Sequence, residues 1–463
     1  MKTKLRRYQI KGVQFIQNNG GRAYLGDDPG LGKTLQVITW RKWFLPAGRT
    51  VIVVPAYLKY NWEEEFTKHD PKAFVQLLHG QKVPPGFGLD APKRAVYVVN
   101  YQILKFWVPA LRRLKPAFVA ADESQALGNP DSQQTRAFRR LQEGVPHLVF
   151  MSGTPAVNRP IELWPALNML DQEAWGTYKA FGHRYCGPEW TAWGWKYNGA
   201  SNEDKLRRKL RRNGFVRRTK EQVMKDLPPK SRVLIPVELS SPGEYKAAEA
   251  GVARWLKMVG KGAKGRAVDR RAKIGELRML VGKLKMKAVI SWVTAFNQSG
   301  RKLLAFCAHT EVVKGYHEAF KDCSELVYGG TNKERRQAAF KRVVNDPGCL
   351  DLFANIRAAG TGWSAPGISD VCFPEFDWTP GAHDQAEDRT RGIGRGVAGV
   401  PTTAYYLYAR DTVDEMMLKI QEKKRRSLTA IFDGKGSTTD SEEDLDLLEQ
   451  MILDRHHGPG RKR

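Results

Sequence analysis

Eight short apolar runs, rich in β-branched residues, constrain the fold more than any other feature of this chain. Four lie in the first third: Arg49–Val54, Ala95–Val99, Ala117–Ala121 and Leu148–Met151. Four more lie beyond residue 300: Leu303–Phe306, Asp351–Ala354, Val371–Pro374 and Ala404–Tyr408. Runs that are apolar throughout, without alternation, suit strands buried on both faces. Helical stretches between them supply the crossovers that a parallel sheet needs. The two groups predict two α/β lobes, and 463 residues exceed what one core supports.

Between the groups, residues 160–300 read as helical, basic and poor in strands. KLRRKLRRNGFVRRTK (205–220) and GKGAKGRAVDRRAKIGELR (260–278) are the densest basic stretches. LPPK (227–230), followed by Pro236 and Pro242, reads as a linker. After Gly434 the chain turns acidic (DSEEDLDLLEQMILD), with Leu445, Leu448 and Ile452 near helical spacing. The net charge is +27, from 76 Lys and Arg against 49 Asp and Glu, and a polyanion is the usual partner of such an excess. The five cysteines (186, 307, 323, 349, 372) lack any short paired spacing, which argues against a zinc site or disulfide framework. Neither a signal peptide nor a bilayer-length apolar run is present, so a soluble intracellular protein is expected.

GDDPGLGKT (26–34) is a glycine-rich turn between a strand end, Ala23-Tyr24-Leu25, and an apolar helix start. In the phosphate-loop pattern Gly30 and Gly32 turn the backbone N–H groups inward, Lys33 reaches the β/γ-phosphates and Thr34 ligates magnesium. Asp27 stands where the pattern has its first glycine, so the loop alone leaves a chance match open. FVAADES (118–124) is an apolar strand ending in Asp122-Glu123. Asp122 can hold magnesium and Glu123 can orient and deprotonate water; the alternative is an acidic pair capping a helix. The two motifs together favour an ATP site.

DESQ (122–125), followed by Ser152-Gly153-Thr154-Pro155, goes further than a generic phosphate loop. With LRRYQIKGVQFI, VVPAYLKYNWEEEF (53–66), VNYQIL (99–104), FGHRYCGPEW…GWKYNGASN (181–202) and VRRTKEQVMKDLPPK (216–230), the chain resembles the SWI/SNF-like ATPases, in their annealing-helicase (HARP-type) branch. NIRAAGTGWS (355–364), FDWTPGAHDQAEDR (376–389) and ARDTVDE (409–415) extend the resemblance to the second half. Family members also carry an acid at the position of Asp27. The resemblance implies an α/β fold of two tandem RecA-like lobes, parallel sheets with flanking helices, plus helical protrusions. ATP would lie in the cleft between lobes and duplex DNA across both. The expected division is 1–159 (ATP-binding lobe), 160–236 (protrusion and linker), 237–283 (second protrusion), 284–435 (second lobe) and 436–463 (acidic helix and basic tail). No separate HARP, chromatin-reading or nuclease module is visible, so a bare monomeric motor is expected. Its place would be on DNA in the cytoplasm of a bacterium or virus-infected cell, or in a eukaryotic nucleus.

By the same resemblance Gln9 contacts adenine, and Asp28, Pro29, Gly30, Leu31, Gly32, Lys33, Thr34 and Gln385 surround the nucleotide. Gln125, Ser152 and Thr154 relay its state. The family's motif VI normally supplies two arginine fingers, which can be worth about 10³–10⁵ in rate. Here QAEDRTRGIGR keeps Arg389, but the second position is Gly392, with Arg391 and Arg395 displaced. Either Arg391 substitutes or turnover is weak; substitution is the reading preferred. DNA-backbone candidates are Lys59, Asn61, Asn100 and Tyr101 in the first lobe, and His309, Thr310, Arg357 and Thr361 in the second. Arg207, Arg208, Arg211 and Arg212 join them from the protrusion. Trp62 reads equally well as packing. The acidic segment reads as a helix packed on the second lobe, with a cover over the cationic groove as the alternative. The leading functional expectation is a DNA-dependent ATPase that translocates on double-stranded or branched DNA, using ATP and Mg²⁺. A strand-separating helicase and an ATP-gated binder without turnover are the alternatives.

Overall fold

In the computed structural model, which describes residues 4–45, 47–88, 90–191, 194–224, 230–259, 264–359, 363, 365, 367–390, 401–433 and 444–456, each apolar run is a strand. Two compact units result. Unit 1 comprises residues 1–225 and 426–440, and unit 2 comprises 226–425 and 441–463.

Unit 1 contains β1 (Arg22–Leu25), β2 (Thr50–Val54), β3 (Val75–Leu77), β4 (Val96–Asn100), β5 (Phe118–Ala121), β6 (His147–Met151), β7 (Glu189–Thr191), β8 (Gly194–Lys196) and β9 (Phe215–Val216). Among the described residues, seven of them form one parallel sheet in the order β3-β4-β2-β5-β6-β1-β9. Side chains alternate across a strand, so each run feeds two cores. Val51, Val53, Tyr97 and Val99 pack on one face, and Ile52, Val54, Val96 and Val98 on the other. Burial on both faces is why these runs show no polar alternation.

Unit 2 contains β10 (Lys230–Val237), β11 (Leu303–Cys307), β12 (Ser324–Val327), β13 (Asp351–Asn355), β14 (Asp370–Phe373) and β15 (Thr402–Ala409). They form a second parallel sheet in the order β10-β15-β14-β11-β13-β12. Leu304 and Phe306 face one core while Leu303, Ala305 and Cys307 face the other.

The middle of the chain departs from the sequence reading. Residues 160–300 are mainly helical, as read, but hold four short strands: β7 and β8 form an antiparallel hairpin, β9 extends the first sheet and β10 the second. Of the expected linker, residues 227–229 lie outside the described residues, Lys230 and Pro236 belong to the edge strand β10, a position that tolerates proline, and Pro242 opens helix Pro242–Val259. The units also divide differently from the expected boundaries. Unit 1 extends to residue 225 because β9 pairs with β1, and it takes in the end of helix Val413–Asp433, where Phe432 stacks on Phe215 at 5.9 Å. The acidic segment is a helix, Asp444–Arg455, seated on unit 2. Its Leu448 and Ile452 are buried there, Glu449 pairs with Arg270 at 2.7 Å, and Arg455 reaches Glu249 at 3.1 Å.

Candidate nucleotide site and DNA-facing residues

The glycine-rich turn leaves β1 and enters helix Lys33–Phe44. Gly30 and Gly32 have φ of +82° and +74°, left-handed values that favour glycine. A Cβ on Gly32 would lie 2.5 Å from the Gln9 amide nitrogen, so a side chain there would push aside the Gln9 amide of the entry helix Arg7–Asn18. Gln9 is buried, and its Nε2 donates to the Leu31 carbonyl at 3.3 Å. Lys33 Nζ donates to the loop's own carbonyls, at 2.6 Å to Asp27 and 3.2 Å to Asp28. Thr34 follows in the first helical turn.

Asp27, the pattern-breaking acid, is fully buried and faces away from the phosphate turn. Its carboxylate accepts the Arg218 side chain through two nitrogens, with Nε at 2.9 Å, and also the Arg218 backbone N–H at 3.1 Å. Beside it Arg217 pairs with Asp28 at 3.0 Å and donates to the carbonyls of Gly26 and Gly153. The segment after the basic helix thus clamps the nucleotide loop from behind. Sequence reasoning placed no role on Arg217 or Arg218; the signal available was a buried-type acid in a loop that asks for glycine.

Asp122 ends β5 inside the unit. Burial, then the neighbouring Glu123, push its carboxyl up to about 6, while the Trp62 indole N–H (2.9 Å) and Lys33 pull the other way. Its other oxygen accepts the Glu123 N–H at 2.9 Å. Both acceptors of a buried carboxylate are thus oriented, while its charge lacks a full counter-ion. The donor set on offer, the Asp122 carboxylate and the Thr34 hydroxyl, is all oxygen. Such a set suits Mg²⁺, which keeps several waters and substrate phosphates as its remaining ligands. No cluster of three or more His, Cys, Asp or Glu suited to a metal occurs among the described residues.

Glu123 has φ +48°, a strained value for a non-glycine residue. A chain of hydrogen bonds starts there. Gln125 Nε2 donates to Glu123 at 2.8 Å, Ser152 Oγ donates to Gln125 Oε1 at 2.6 Å, and the Thr154 N–H donates to Ser152 Oγ at 2.9 Å. The same turn touches the phosphate loop, since a Cβ on Gly153 would lie 2.6 Å from the Pro29 ring.

Several expected DNA contacts are turned inward. Lys59 is buried, its ammonium on the Leu78 carbonyl at 2.7 Å and beside His79 at 3.1 Å. Tyr101 is buried; its hydroxyl, kept protonated by burial, donates to the Asp122 carbonyl at 2.8 Å. Asn100 is buried and bonds Gln102, and Trp62 packs under Asp122. Tyr101 and Trp62 thus support the acidic strand end, while Lys59 and Asn100 are spent on neighbours inside unit 1, which turns these side chains away from the expected phosphate contacts; Asn61, on the same helix as Lys59, is exposed. Arg208, Arg211 and Arg212 are exposed on helix Glu203–Arg212, Arg207 is half-buried against Asp204 at 2.6 Å, and Leu206 and Leu210 anchor that helix in the core.

In unit 2, His309, Thr310 and Arg357 line a single cavity of about 490 Å³ with Arg278 and Trp378. Glu375 accepts both the ring Nδ1 and the backbone N–H of His309, at 2.7 and 3.0 Å. Thr310 Oγ1 lies 3.1 Å from Asn355, and Arg357, three-quarters exposed, pairs with Asp377 at 3.0 Å. Arg389 is buried, donating to the carbonyls of Gln385 and Trp363 at 2.9 and 2.6 Å. Gln385 lies on helix Pro380–Glu387, which β10 secures: Lys230 and Arg232 both bond Glu387. Burial alone would raise the Glu387 carboxyl, but the two cations hold it well below the usual range. Thr361, Arg391, Gly392 and Arg395 lie outside the described residues.

Residues 8–268 match the model of the SNF2-related domain, and residues 284–394 that of the helicase conserved C-terminal domain. The chain is 28% identical over 425 residues to the SWI/SNF-related matrix-associated actin-dependent regulator of chromatin subfamily A-like protein 1 of Xenopus tropicalis, covering 90% of this chain and 44% of that protein. It is 27% identical over 456 residues to the mouse DNA annealing helicase and endonuclease ZRANB3, covering 96% of this chain and 42% of that protein. The chain therefore spans less than half the length of these two relatives. Among solved structures, a Sulfolobus solfataricus SWI2/SNF2 ATPase core in complex with dsDNA aligns over 98% of this chain and 97% of that one, at 22% identity and a TM-score of 0.43. With the first family model covering more than half of its length and the second most of the remaining α/β unit, this chain belongs to the SNF2-related family of helicase-superfamily ATPases.

Proposed function

We propose that the chain hydrolyses ATP in unit 1 and uses the cycle to translocate on double-stranded or branched DNA, remodelling or reannealing it. The observation that carries this is the hydrogen-bonded chain from Glu123 through Gln125 and Ser152 to Thr154. A lone nucleotide-binding pocket needs no such relay, whereas a motor must report the state of its γ-phosphate to distant parts. Lys33 leaves the Asp27 and Asp28 carbonyls for the phosphates, Gln9 meets the adenine edge, and Asp28, Pro29, Gly30, Leu31 and Gly32 shape the turn. Glu123 accepts the proton of the attacking water. Arg389, with Arg391, neutralises charge on the transferred phosphoryl group, and Gln385 adjoins the nucleotide. Magnesium, held by Thr34 and Asp122, would supply charge neutralisation on the phosphate oxygens. Arg208, Arg211 and Arg212, with His309 and Arg357, follow the DNA backbone. The names of the two relatives, a chromatin regulator and an annealing helicase, support DNA as the substrate.

The test is phosphate release with single-stranded, duplex, forked and RNA cofactors. Duplex or forked DNA is expected to stimulate turnover at least tenfold, and Glu123→Gln to lower it by about 10²–10⁴, the range for loss of a general base. Equal silence of wild type and variant would leave an ATP-gated binder. Stimulation confined to single strands or RNA would indicate a strand-separating helicase.

A further inference from the structure

The β7–β8 hairpin carries the most exposed tryptophan among the described residues. Trp190 is 67% exposed and its cross-strand partner Trp195 is 41% exposed. An indole is normally well buried, because leaving it in water forfeits a large apolar area. The hairpin is also held firmly. Trp190 and Trp195 meet edge-on at 5.2 Å, and Trp195 meets His183 at 4.4 Å. His183 contacts Tyr197, Tyr197 contacts Tyr178, and Tyr178 contacts Trp164 at the core boundary. At the base, a Cβ on Gly187 would lie 3.2 Å from the Gly199 backbone, so the two arms leave pinched together. This is an aromatic ladder that ends in a free indole face on a rigid mount.

The surroundings are cationic. Residues 177–214, which include the hairpin and helix Glu203–Arg212, hold nine Lys and Arg against three acids. That helix is tied to the same base, since Asn202 Nδ2 donates to the Arg184 carbonyl at 2.8 Å. Of the three acids, Asp204 is paired with Arg207, and Glu189 lies opposite Lys196 across the hairpin. An apolar partner surface would leave this charge without a counterpart. An unpaired nucleic-acid strand satisfies both features, bases for the ring and phosphates for the cations.

We propose that the Trp190–Trp195 hairpin is a stacking platform for the unpaired bases of a DNA strand, with Trp190 as the stacking face and Trp195 as its buttress. The proposal rests on the reading that this chain acts on DNA. It adds the specific claim that a single-stranded arm, and not duplex alone, is engaged by this protrusion.

The experiment measures binding of the full chain to two labelled probes, a blunt duplex and the same duplex ending in an oligo-dT arm. Trp190→Ala is expected to weaken the armed probe by about tenfold, the loss of one stacked base, and to leave the blunt duplex and its ATPase stimulation unchanged. Trp190→Phe restores most of the loss, and an unaltered melting temperature shows that the hairpin still folds. Equal binding of the armed probe by wild type and Trp190→Ala overturns the proposal, and so does an equal loss on both probes. If wild type binds neither probe, the DNA reading itself fails.

Discussion

At the scale of single residues, the nucleotide site is assembled around two carboxylates under opposite constraints. Asp27 is neutralised in place by Arg218 and serves the fold, while Asp122 is buried with only partial compensation and serves the ligand. The sign of the resulting stability effect can be worked out. A carboxyl raised from 3.8 to about 6 on folding costs nothing where both states are protonated; the cost grows as pH rises from about 4 through 6 and then stays constant. Asp122→Asn removes that cost but sets its amide nitrogen against one of the two N–H donors, so the variant is expected to start less stable than wild type in acid and to gain on it by about 3 kcal/mol as pH rises from about 4 to 7. The same variant should lose ATP turnover. Urea unfolding at several pH values checks this, and a stability difference between variant and wild type that stays constant from about pH 4 to 7 would contradict the electrostatic account.

At the scale of elements, β10 shows how a stretch that resembles a connection does structural work. Lys230 and Arg232 are drawn to Glu387, and Arg232 also reaches Asp384 at 2.5 Å; the strand thereby fixes the helix that carries Gln385 and precedes Arg389. Because Glu387 is held well below its ordinary range, its contribution to stability is present above that range and is lost as pH falls toward the lowered value. Arg232→Met leaves Glu387 with Lys230 as its remaining cation. It is expected to destabilise unit 2 by about 3 kcal/mol, the scale for breaking a buried pair, and to flatten the fall in stability on acidification. Thermal melts between neutral and acidic pH read both effects. Unchanged acid sensitivity would show that Lys230 suffices.

At the scale of the whole molecule, a net charge of +27 predicts DNA affinity that declines steeply with salt and shows little base preference. The structure sorts the contributors. Replacing Arg208, Arg211 and Arg212 together by alanine should lower the slope of log affinity against log salt by about 3, one for each phosphate that no longer meets a cation. Lys59→Met should leave the slope alone, because that ammonium is spent on the Leu78 carbonyl. Binding titrations over a salt series discriminate the two, and a reduced slope for the Lys59 variant would place its cation on the DNA after all.

Much of this was legible in the order of residues. A strand buried on both faces must be apolar throughout, so each of the eight runs announced its element, and the phosphate loop and the acidic strand end were fixed by short-range chemistry. Helix Glu203–Arg212 was readable too, because Leu206 and Leu210 sit one turn apart. Less could be read where partners are remote in the chain. Phe215–Val216 and Lys230–Val237 are too short or too polar to stand out as strands, and only pairing with β1 and β15 makes them edge strands of the two sheets. Lysine and tyrosine side chains are long and amphipathic, and nothing local decides whether Lys59 ends in water or on the Leu78 carbonyl, or Tyr101 in water or under Asp122. The sequence by itself determined the two sheets and the chemistry of the nucleotide turn, because strand burial and loop geometry are local demands. Only the tertiary structure decided which cations face outward and why an acid stands at position 27, because both depend on a carbonyl or a guanidinium supplied from far along the chain.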